Sequence, residues 1–385
     1  MFSDNKKYTC AVVPCGSYAE ADAALTRALA AIHGLDFVAP GMRIVIKANL
    51  VAAMSPDSCA TTHPALVTAL VKKLTALGAK VTVGDSPGGL FTAAALSHNY
   101  RVTGMEEARA AGAELNLNVD SHTVPIDGLK MRRLTYTDYL DDCDAIIDFA
   151  KLKSHGMVGM SAAVKNMYGV IPGLLKPQTH YLYPDVNDFA DMLVDINEHF
   201  KPRLTLIDAV DCMEGNGPTA GTPRHVGALI AALTPYEADA AAAALIGIDP
   251  DGVPTLSAAK RRGLCDNDLS SIALYGDPHA LAVPDFKKVP RKSITFLKGS
   301  RFSFLSGPLE RILEQRPAVR RAECVGCGKC EKLCPASAIA MEKRGGASVP
   351  RIDRSRCIRC FCCQEFCPRG AMKVHRSAIV RLLQK

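Results

Sequence analysis

Two stretches near the C-terminal end carry the residues whose chemistry is clearest. The first reads Cys324-x-x-Cys327-x-x-Cys330-x-x-x-Cys334-Pro335, and the second Cys357-x-x-Cys360-x-x-Cys363-x-x-x-Cys367-Pro368. Each position of the second lies 33 residues after its partner in the first, so the two are copies. Three thiolates in steps of three, then a fourth followed by proline, is a spacing that holds [4Fe–4S] cubanes. In two-cluster proteins the fourth cysteine of each run ligates the other cluster. The expected ligand sets are Cys324, Cys327, Cys330 and Cys367 for one cluster, and Cys357, Cys360, Cys363 and Cys334 for the second. Zinc favours separated C-x-x-C pairs, and a disulfide scaffold belongs to a secreted chain. The chemistry expected here is one-electron transfer.

A second group of polar residues comes in short bursts through the N-terminal part: Lys47 and Asn49, Asp85 and Ser86, Lys153 and His155, Lys165 and Asn166, Glu214 and Asn216. Lys47, Lys153 and Lys165 suit negative charge developing on an anionic or carbonyl-bearing ligand. His63 and His155 titrate near neutral pH and suit proton donation. Lys47, Asn49, Asp85, Ser86, Asn166, Glu214 and Asn216 are candidates to hold a small-molecule substrate or a second cofactor. A metal held by His63, His155 and Asp85 is a third option. Plainer roles compete: His63 before Pro64 can simply start a helix, and Asp85, Ser86 and Asn216 sit in Gly/Pro turns. The density of Lys153, Ser154, His155, Lys165 and Asn166 within fourteen residues tips the balance towards function. Cys212 stands alone, and an isolated buried thiol is usually inert. There is no phosphate-loop motif, and Gly215-x-Gly217-x-x-x-Gly221 departs from the dinucleotide fingerprint, so a nicotinamide cofactor is not expected.

The elements that must position these residues alternate between strand and helix. YTCAVVP (8–14), RIVIKAN (43–49), KVTVG (80–84), DAIIDFAKLKSH (144–155) and LTLIDAV (204–210) read as strands, and 226–233 as a further one. Helices are expected over 18–33, from the Thr61-Thr62-His63-Pro64 start to Ala76 with Thr62 as N-cap, from about Leu90, and over 157–169, 186–199, 236–247 and 254–263. Residues 113–135 read as antiparallel or irregular, and 211–225 as a long glycine-rich loop. Serial β–loop–α units predict an α/β fold, a mostly parallel sheet covered by helices, followed by a small C-terminal two-cluster ferredoxin-like α+β domain. The polar bursts fall at the carboxyl ends of the strands, where open α/β sheets hold ligands.

At 385 residues, 48% hydrophobic and 22% charged, the chain has the composition of a globular protein with room for two domains. The expected organisation is an α/β domain over 1–284, a basic connector over 285–320, the two-cluster domain over 321–376 and a tail over 377–385. No run of about 18 apolar residues predicts a membrane span, and MFSDNKKYTC lacks the apolar segment of a secretory signal. Free thiols beside oxygen-sensitive clusters point to a reducing cytoplasm, that of an anaerobic or facultative prokaryote. Residues 285–385 carry 23 Lys and Arg against 8 Asp and Glu, whereas the rest carries 23 against 31. Two clusters with their thiolates offset about four of those positive charges. The remaining excess fits an acidic redox partner better than nucleic acid, because no aromatic stacking platform is interleaved with it.

IKANLV, the Thr-His-Pro helix start, GDSPGG, KLKSHGMVGMSAAVKNMYGVIPG, EGNGP and the later Pro-Tyr-Glu-Ala-Asp239 segment resemble the domain-of-unknown-function family 362 over essentially the whole chain. The resemblance implies a cytoplasmic iron–sulfur protein with low-potential electron transfer, and supplies no substrate. Two functions are consistent with the residues. One is a reductase passing single electrons from the clusters to a ligand in the α/β crevice. The other is a non-enzymatic electron carrier or assembly factor that docks on a redox partner.

Overall fold

The computed structural model describes residues 7–288, 316–344 and 346–375. Residues 289–315 of the expected connector and the tail 377–385 lie outside the described residues. The chain divides into two units, Met1–Lys288 and Val289–Lys385.

The first unit contains strands β1 (Cys10–Pro14), β2 (Arg43–Ala48), β3 (Lys80–Gly84), β4 (Glu114–Leu115), β5 (Ser121–Pro125), β6 (Arg133–Thr137), β7 (Ala145–His155), β8 (Gly159–Ser161), β9 (Leu204–Glu214), β10 (Thr222–Ala232) and β11 (Leu274–Tyr275). Its helices are α1 (Ala21–Ala31), α2 (Pro64–Ala76), α3 (Ala93–Val102), α4 (Glu106–Ala110), α5 (Ala163–Asn166), α6 (Lys176–Leu182), α7 (Val186–Phe200), α8 (Pro235–Leu245) and α9 (Pro254–Arg261). The main sheet runs β11-β1-β10-β9-β7-β2-β3-β4, with β8 folded back on β7. Strands β9, β7, β2, β3 and β4 are parallel neighbours, so the sheet is mostly parallel. β10 pairs antiparallel with β9, and the YTCAVVP strand β1 pairs antiparallel with β10.

Every residue of β7 is buried, as a central strand covered on both faces requires. On one face Leu25 and Leu29 of α1 and Leu66, Leu70 and Leu74 of α2 pack on Ile44, Ile46, Phe149 and Leu206. Each such leucine contributes on the order of 2 kcal/mol. On the other face the alanines of α8 let it approach Ala150, Leu152, Ile207 and Ile230 closely.

Several boundaries differ from the expectation. Thr62 does not cap α2: its hydroxyl accepts from Asn49 N at 3.0 Å and donates to Phe149 O at 2.7 Å, tying the loop to the sheet. His63 is the cap, its Nδ1 accepting Ala65 N at 3.2 Å. The helix expected near Leu90 begins at Ala93, where Thr92 Oγ1 accepts Ala95 N at 3.2 Å. Residues 157–169 do not form one helix. The chain reverses so that β8 pairs with the end of β7, and only then enters α5 and a 3-10 turn, Met167–Val170. The loop expected over 211–225 shrinks to 215–221, because β9 and β10 extend into a hairpin that pairs Glu214 with Thr222. The segment 113–135 divides into the parallel edge strand β4 and the antiparallel hairpin β5–β6.

In the second unit β12 (Arg316–Val319) pairs with β15 (Met372–His375), and β13 (Ile339–Arg344) with β14 (Ala347–Ile352). The cysteine runs carry the short helices α10 (Lys329–Lys332) and α11 (Cys362–Glu365). The duplication extends to the backbone. Gly326 and Arg359 have φ of 67° and 57°, Gly328 and Phe361 70° and 61°, and Ser337 and Gly370 47° and 57°. At the first two pairs the left-handed residue lies between successive cysteines and turns the chain around a common centre, and at the third it follows the last cysteine of each run. For Arg359, Phe361 and Ser337 it costs about 1 kcal/mol each, which the rest of the repeat must offset.

Candidate functional site

Cys324, Cys327 and Cys330 of the first run and Cys367 of the second line one recess, together with the apolar side chains of Val319, Met341 and Met372. The Cys363 thiol, 7% exposed, has Cys360, Cys357, Cys330 and Cys334 as its charged neighbours, and Cys357 in turn faces Cys360 and Cys334. The recess thus gathers three cysteines of the first run and the last of the second, while Cys363 has both Cys330 and Cys334 of the first run among its neighbours. All fifteen cysteines are free thiols. Burial pushes the Cys330 thiol up to about 11 and the Cys363 thiol well above its ordinary value. Such surroundings disfavour bare thiolates and accept them when a bound cation supplies the compensating charge. Ala338 N donates to Cys334 Sγ and Ala371 N to Cys367 Sγ, both at 3.2 Å, at equivalent positions of the two repeats. Hydrogen bonds of this kind tune the reduction potential of a cluster. The donor set, its apolar shell and its amide donors fit iron–sulfur clusters.

The strand exits of the α/β unit carry a buried polar lattice. Lys47 Nζ pairs with Asp85 Oδ1 at 2.7 Å and donates to Ala48 O and Asn166 O. Asp85 Oδ2 accepts Leu50 N at 2.7 Å, and its Oδ1 accepts Ser86 N at 2.8 Å, so the GDSPGG turn and the end of β2 are locked together. Asn166 donates to Lys47 O and to Asp148 Oδ1, and accepts from Asn49 Nδ2 at 2.7 Å. Asn49 Oδ1 in turn accepts from Lys153 Nζ, which also donates to Ala60 O, both at 2.6 Å. Glycine is required at 169, where a Cβ would fall on Asp85 Oδ1 and Lys47 Nζ.

Lys151 belongs to a separate group. It reaches Asp208 Oδ2 and the Tyr18 hydroxyl, both at 2.8 Å, and Asp208 also accepts His63 N at 3.0 Å. The Tyr18 ring stacks on the His63 imidazole at 3.5 Å.

Other expected residues are placed differently. His155 is fully buried, and its Nδ1 accepts Met157 N and Val158 N. With Nδ1 engaged as acceptor in both His63 and His155, each neutral ring carries its proton on Nε2. Burial lowers the His63 pKa and holds it neutral, which favours hydrogen-bond donation over the expected proton donation. His63, His155 and Asp85 do not gather into a metal-ligating group among the described residues; a group with that potential is His122, Asp138 and Asp141. Glu214 is held by Lys287, its Oε1 3.0 Å from Lys287 Nζ and its Oε2 accepting Lys287 N. Asn216 is half-buried in the β9–β10 loop. Lys165 is half-buried, its ammonium 5.1 Å from the Tyr168 ring centre and without an ion pair or hydrogen bond among the described residues. Cys212 is fully buried and its thiol pKa is raised by desolvation, as an inert cysteine requires.

The sequence reading missed Asp148 and Lys176. Asp148 is fully buried, its Oδ2 without a hydrogen bond, and desolvation raises its pKa well above the carboxylate range. The signal was a lone acid inside the apolar run DAIIDFA. Lys176 Nζ binds Ser86 O at 2.6 Å and Ile171 O, fastening the GDSPGG turn to the segment before α6.

Residues 44–244 match the family described as domain of unknown function DUF362, and residues 323–371 match the 4Fe-4S dicluster domain. The chain is similar to the thylakoid-associated protein sll1697 of Synechocystis, 30% identical over 66% of this chain and 78% of that protein. Among solved structures it matches the lactate racemase apoprotein of Thermoanaerobacterium thermosaccharolyticum at 12% identity and a TM-score of 0.35, over 54% of this chain and about half, 52%, of that one. No helix among the described residues is long and apolar enough to cross a membrane. The chain belongs to the DUF362 family, and its ferredoxin-like C-terminal module makes it an iron–sulfur electron-transfer protein.

Proposed function

We propose that the protein carries two [4Fe–4S] clusters, ligated crosswise by the two cysteine runs, and acts as a reductase. Single electrons from a redox partner would pass through the clusters to an anionic or carbonyl-bearing substrate, or a second cofactor, at the carboxyl edge of the α/β sheet. The observation that carries the proposal is the buried lattice itself. Lys47, Lys153, Asp85 and Asp148 are each at most 3% exposed. Burying a charge costs several kcal/mol even when it is paired. A module that served only for docking would gain stability from apolar residues there. Lys47 and Lys153 set the positive potential, while Asn49, Asn166, Asp85 and Ser86 fix the loops that would hold the ligand. The Nε2–H group of His63 would polarise an oxygen on it.

Lys165 gives the cleanest test, because its ammonium is not a strut of the lattice. The protein is reduced anaerobically, and cluster reoxidation is followed after adding a panel of carboxylates, phosphates and carbonyl compounds. A compound that reoxidises the clusters of the wild type, and does so about tenfold more slowly in Lys165→Met of equal iron content, supports the proposal. Equal rates for every compound overturn it.

The competing reading, an electron carrier or assembly factor, draws on the basic excess of residues 285–385. It requires that no small molecule reoxidise the clusters selectively. We place the protein in the cytoplasm, where free thiols stay reduced. The name of the cyanobacterial relative raises attachment at a membrane surface as the alternative, and cell fractionation separates the two.

A further inference from the structure

The two cysteine runs share a backbone and differ in what they show to solvent. In the second run Cys360 is 9% exposed, Cys362 1%, Cys363 7% and Gln364 0%. At the equivalent positions of the first run Cys327, Lys329 and Glu331 are exposed, and Val325 beside them is 63% exposed. The charges differ as well. Lys329 and Arg369 line the first recess, with Lys332 in the same short helix α10 as Lys329, and the residues 33 positions away are Cys362, Glu365 and Ala336. The second group has a cation of its own in Arg359, between Cys357 and Cys360, where the first run has Gly326, so the cations lie at different positions around the two groups. Neither Lys329 nor Lys332 has an ion pair among the described residues. Nearby acids are engaged: Glu331 accepts Met341 N at 3.0 Å, and Glu323 pairs with Arg320 and Lys373.

We propose that the face around Cys324, Cys327, Cys330 and Cys367, rimmed by Lys329 and Arg369 with Lys332 in the adjoining helix, is the docking port for an acidic one-electron carrier protein. Electron exchange with the outside then takes place at this group and not at the one held by Cys357, Cys360, Cys363 and Cys334. Two features fit that assignment. An outer redox centre must come close to the partner's own cofactor, and the first group has an exposed ligand in Cys327 while its counterpart Cys360 is buried. A ring of unpaired cations around an apolar rim raises the encounter rate with an acidic partner and orients it. The inference rests on the two-cluster electron-transfer reading and is independent of the reductase assignment.

The probe is a purified plant-type [2Fe–2S] ferredoxin, a small acidic protein, reduced and mixed anaerobically with the full-length holoprotein. Electron transfer is followed by stopped-flow absorbance at increasing salt. The wild-type second-order rate is expected to fall steeply with ionic strength. Lys329→Glu, Lys332→Glu and Arg369→Glu combined should slow it by about tenfold or more at low salt and flatten the salt dependence. The control changes the same net charge on exposed residues of the α/β unit, Lys72→Glu, Lys80→Glu and Arg133→Glu combined, and should keep most of the wild-type rate. Iron content and the EPR signal of each sample separate loss of docking from loss of clusters. A salt-insensitive wild-type rate, an unchanged rate in the port variant at full iron content, or an equal loss in the control overturns the assignment.

Discussion

Lys47 Nζ and Asp85 Oδ1 are joined at 2.7 Å, with side chains 0% and 4% exposed. The pair binds the end of β2 to the GDSPGG turn after β3, neighbouring parallel strands in the sheet. Each partner also spends its remaining capacity on backbone groups, Lys47 on Ala48 O and Asn166 O and Asp85 on Leu50 N and Ser86 N. The loops around the candidate crevice therefore owe their placement to one buried ion pair and its hydrogen bonds.

Removing a single partner should strand the other charge. Lys47→Met is expected to destabilise the protein by about 3–5 kcal/mol, and Lys47→Met with Asp85→Leu by clearly less than the two single changes together. Chemical denaturation followed by far-UV circular dichroism measures all three. Additive losses would show that the pair is not coupled.

Gly169 is packed against the same pair. Gly169→Ala places a methyl group on Asp85 Oδ1 and Lys47 Nζ, so the pair must separate or the 3-10 turn must shift. The expected cost is about 1–3 kcal/mol. A crystal structure of the variant should show the Lys47–Asp85 distance lengthened. An unchanged distance and stability would mean that the turn yields freely.

Asp239 supplies a pH dependence. It is buried at the start of α5, where its oxygens accept Ala163 N at 2.7 Å and Val164 N at 3.2 Å, and burial raises its pKa to about 7. An unfolded aspartate loses its proton near pH 4. Between roughly pH 4 and 7 the native state therefore binds more protons than the unfolded one, and stability from this group declines as pH rises through that window. Asp239→Asn, neutral throughout, removes the decline. Its melting temperature relative to wild type should improve steadily from about pH 5 to pH 8. Parallel curves would show that Asp239 is already ionised in the folded protein.

The parts of this molecule that could be read in advance are those set by local spacing. The period-33 cysteine runs announce an iron–sulfur module, and apolar strands ending in polar residues announce a parallel sheet with charged exits. What was hidden depends on pairing between distant segments. Residues 157–169 look helical in isolation, yet β8 returns to β7 because the end of β7 needs a hydrogen-bonding partner. The glycines of 211–225 suggested a long loop, whereas the register from Glu214 to Thr222 makes most of it a hairpin. The polar bursts fall at strand exits, yet they do not form one connected group. Instead Lys151 turns to Tyr18 and Asp208, while Lys47 and Lys153 join through Asn166 and Asn49. Which lysine pairs with which acid is decided by strand order, which composition does not carry.

The crossed cysteine assignment can be tested directly, because it predicts damage in the wrong place. Cys334 lies in the first run but faces Cys357 and Cys363 of the second, and Cys367 lies in the second run but lines the recess of Cys324, Cys327 and Cys330. Cys334→Ser should therefore weaken the cluster of the second run and leave that of the first, and Cys367→Ser the reverse. With two cubanes present, iron content would fall from about eight per chain towards four in either variant. Reduced wild-type protein should give the broadened EPR signal of two interacting spins, and each variant the simpler signal of one. Combining Cys334→Ser with Cys357→Ser removes two ligands of one cluster and should cost no more iron than Cys334→Ser alone. Combining Cys334→Ser with Cys324→Ser strikes both clusters and should remove nearly all of it. If the outcomes are reversed, with Cys334→Ser plus Cys357→Ser losing nearly all the iron and Cys334→Ser plus Cys324→Ser only about half, the runs do not cross, and each cubane is held by four cysteines of its own run.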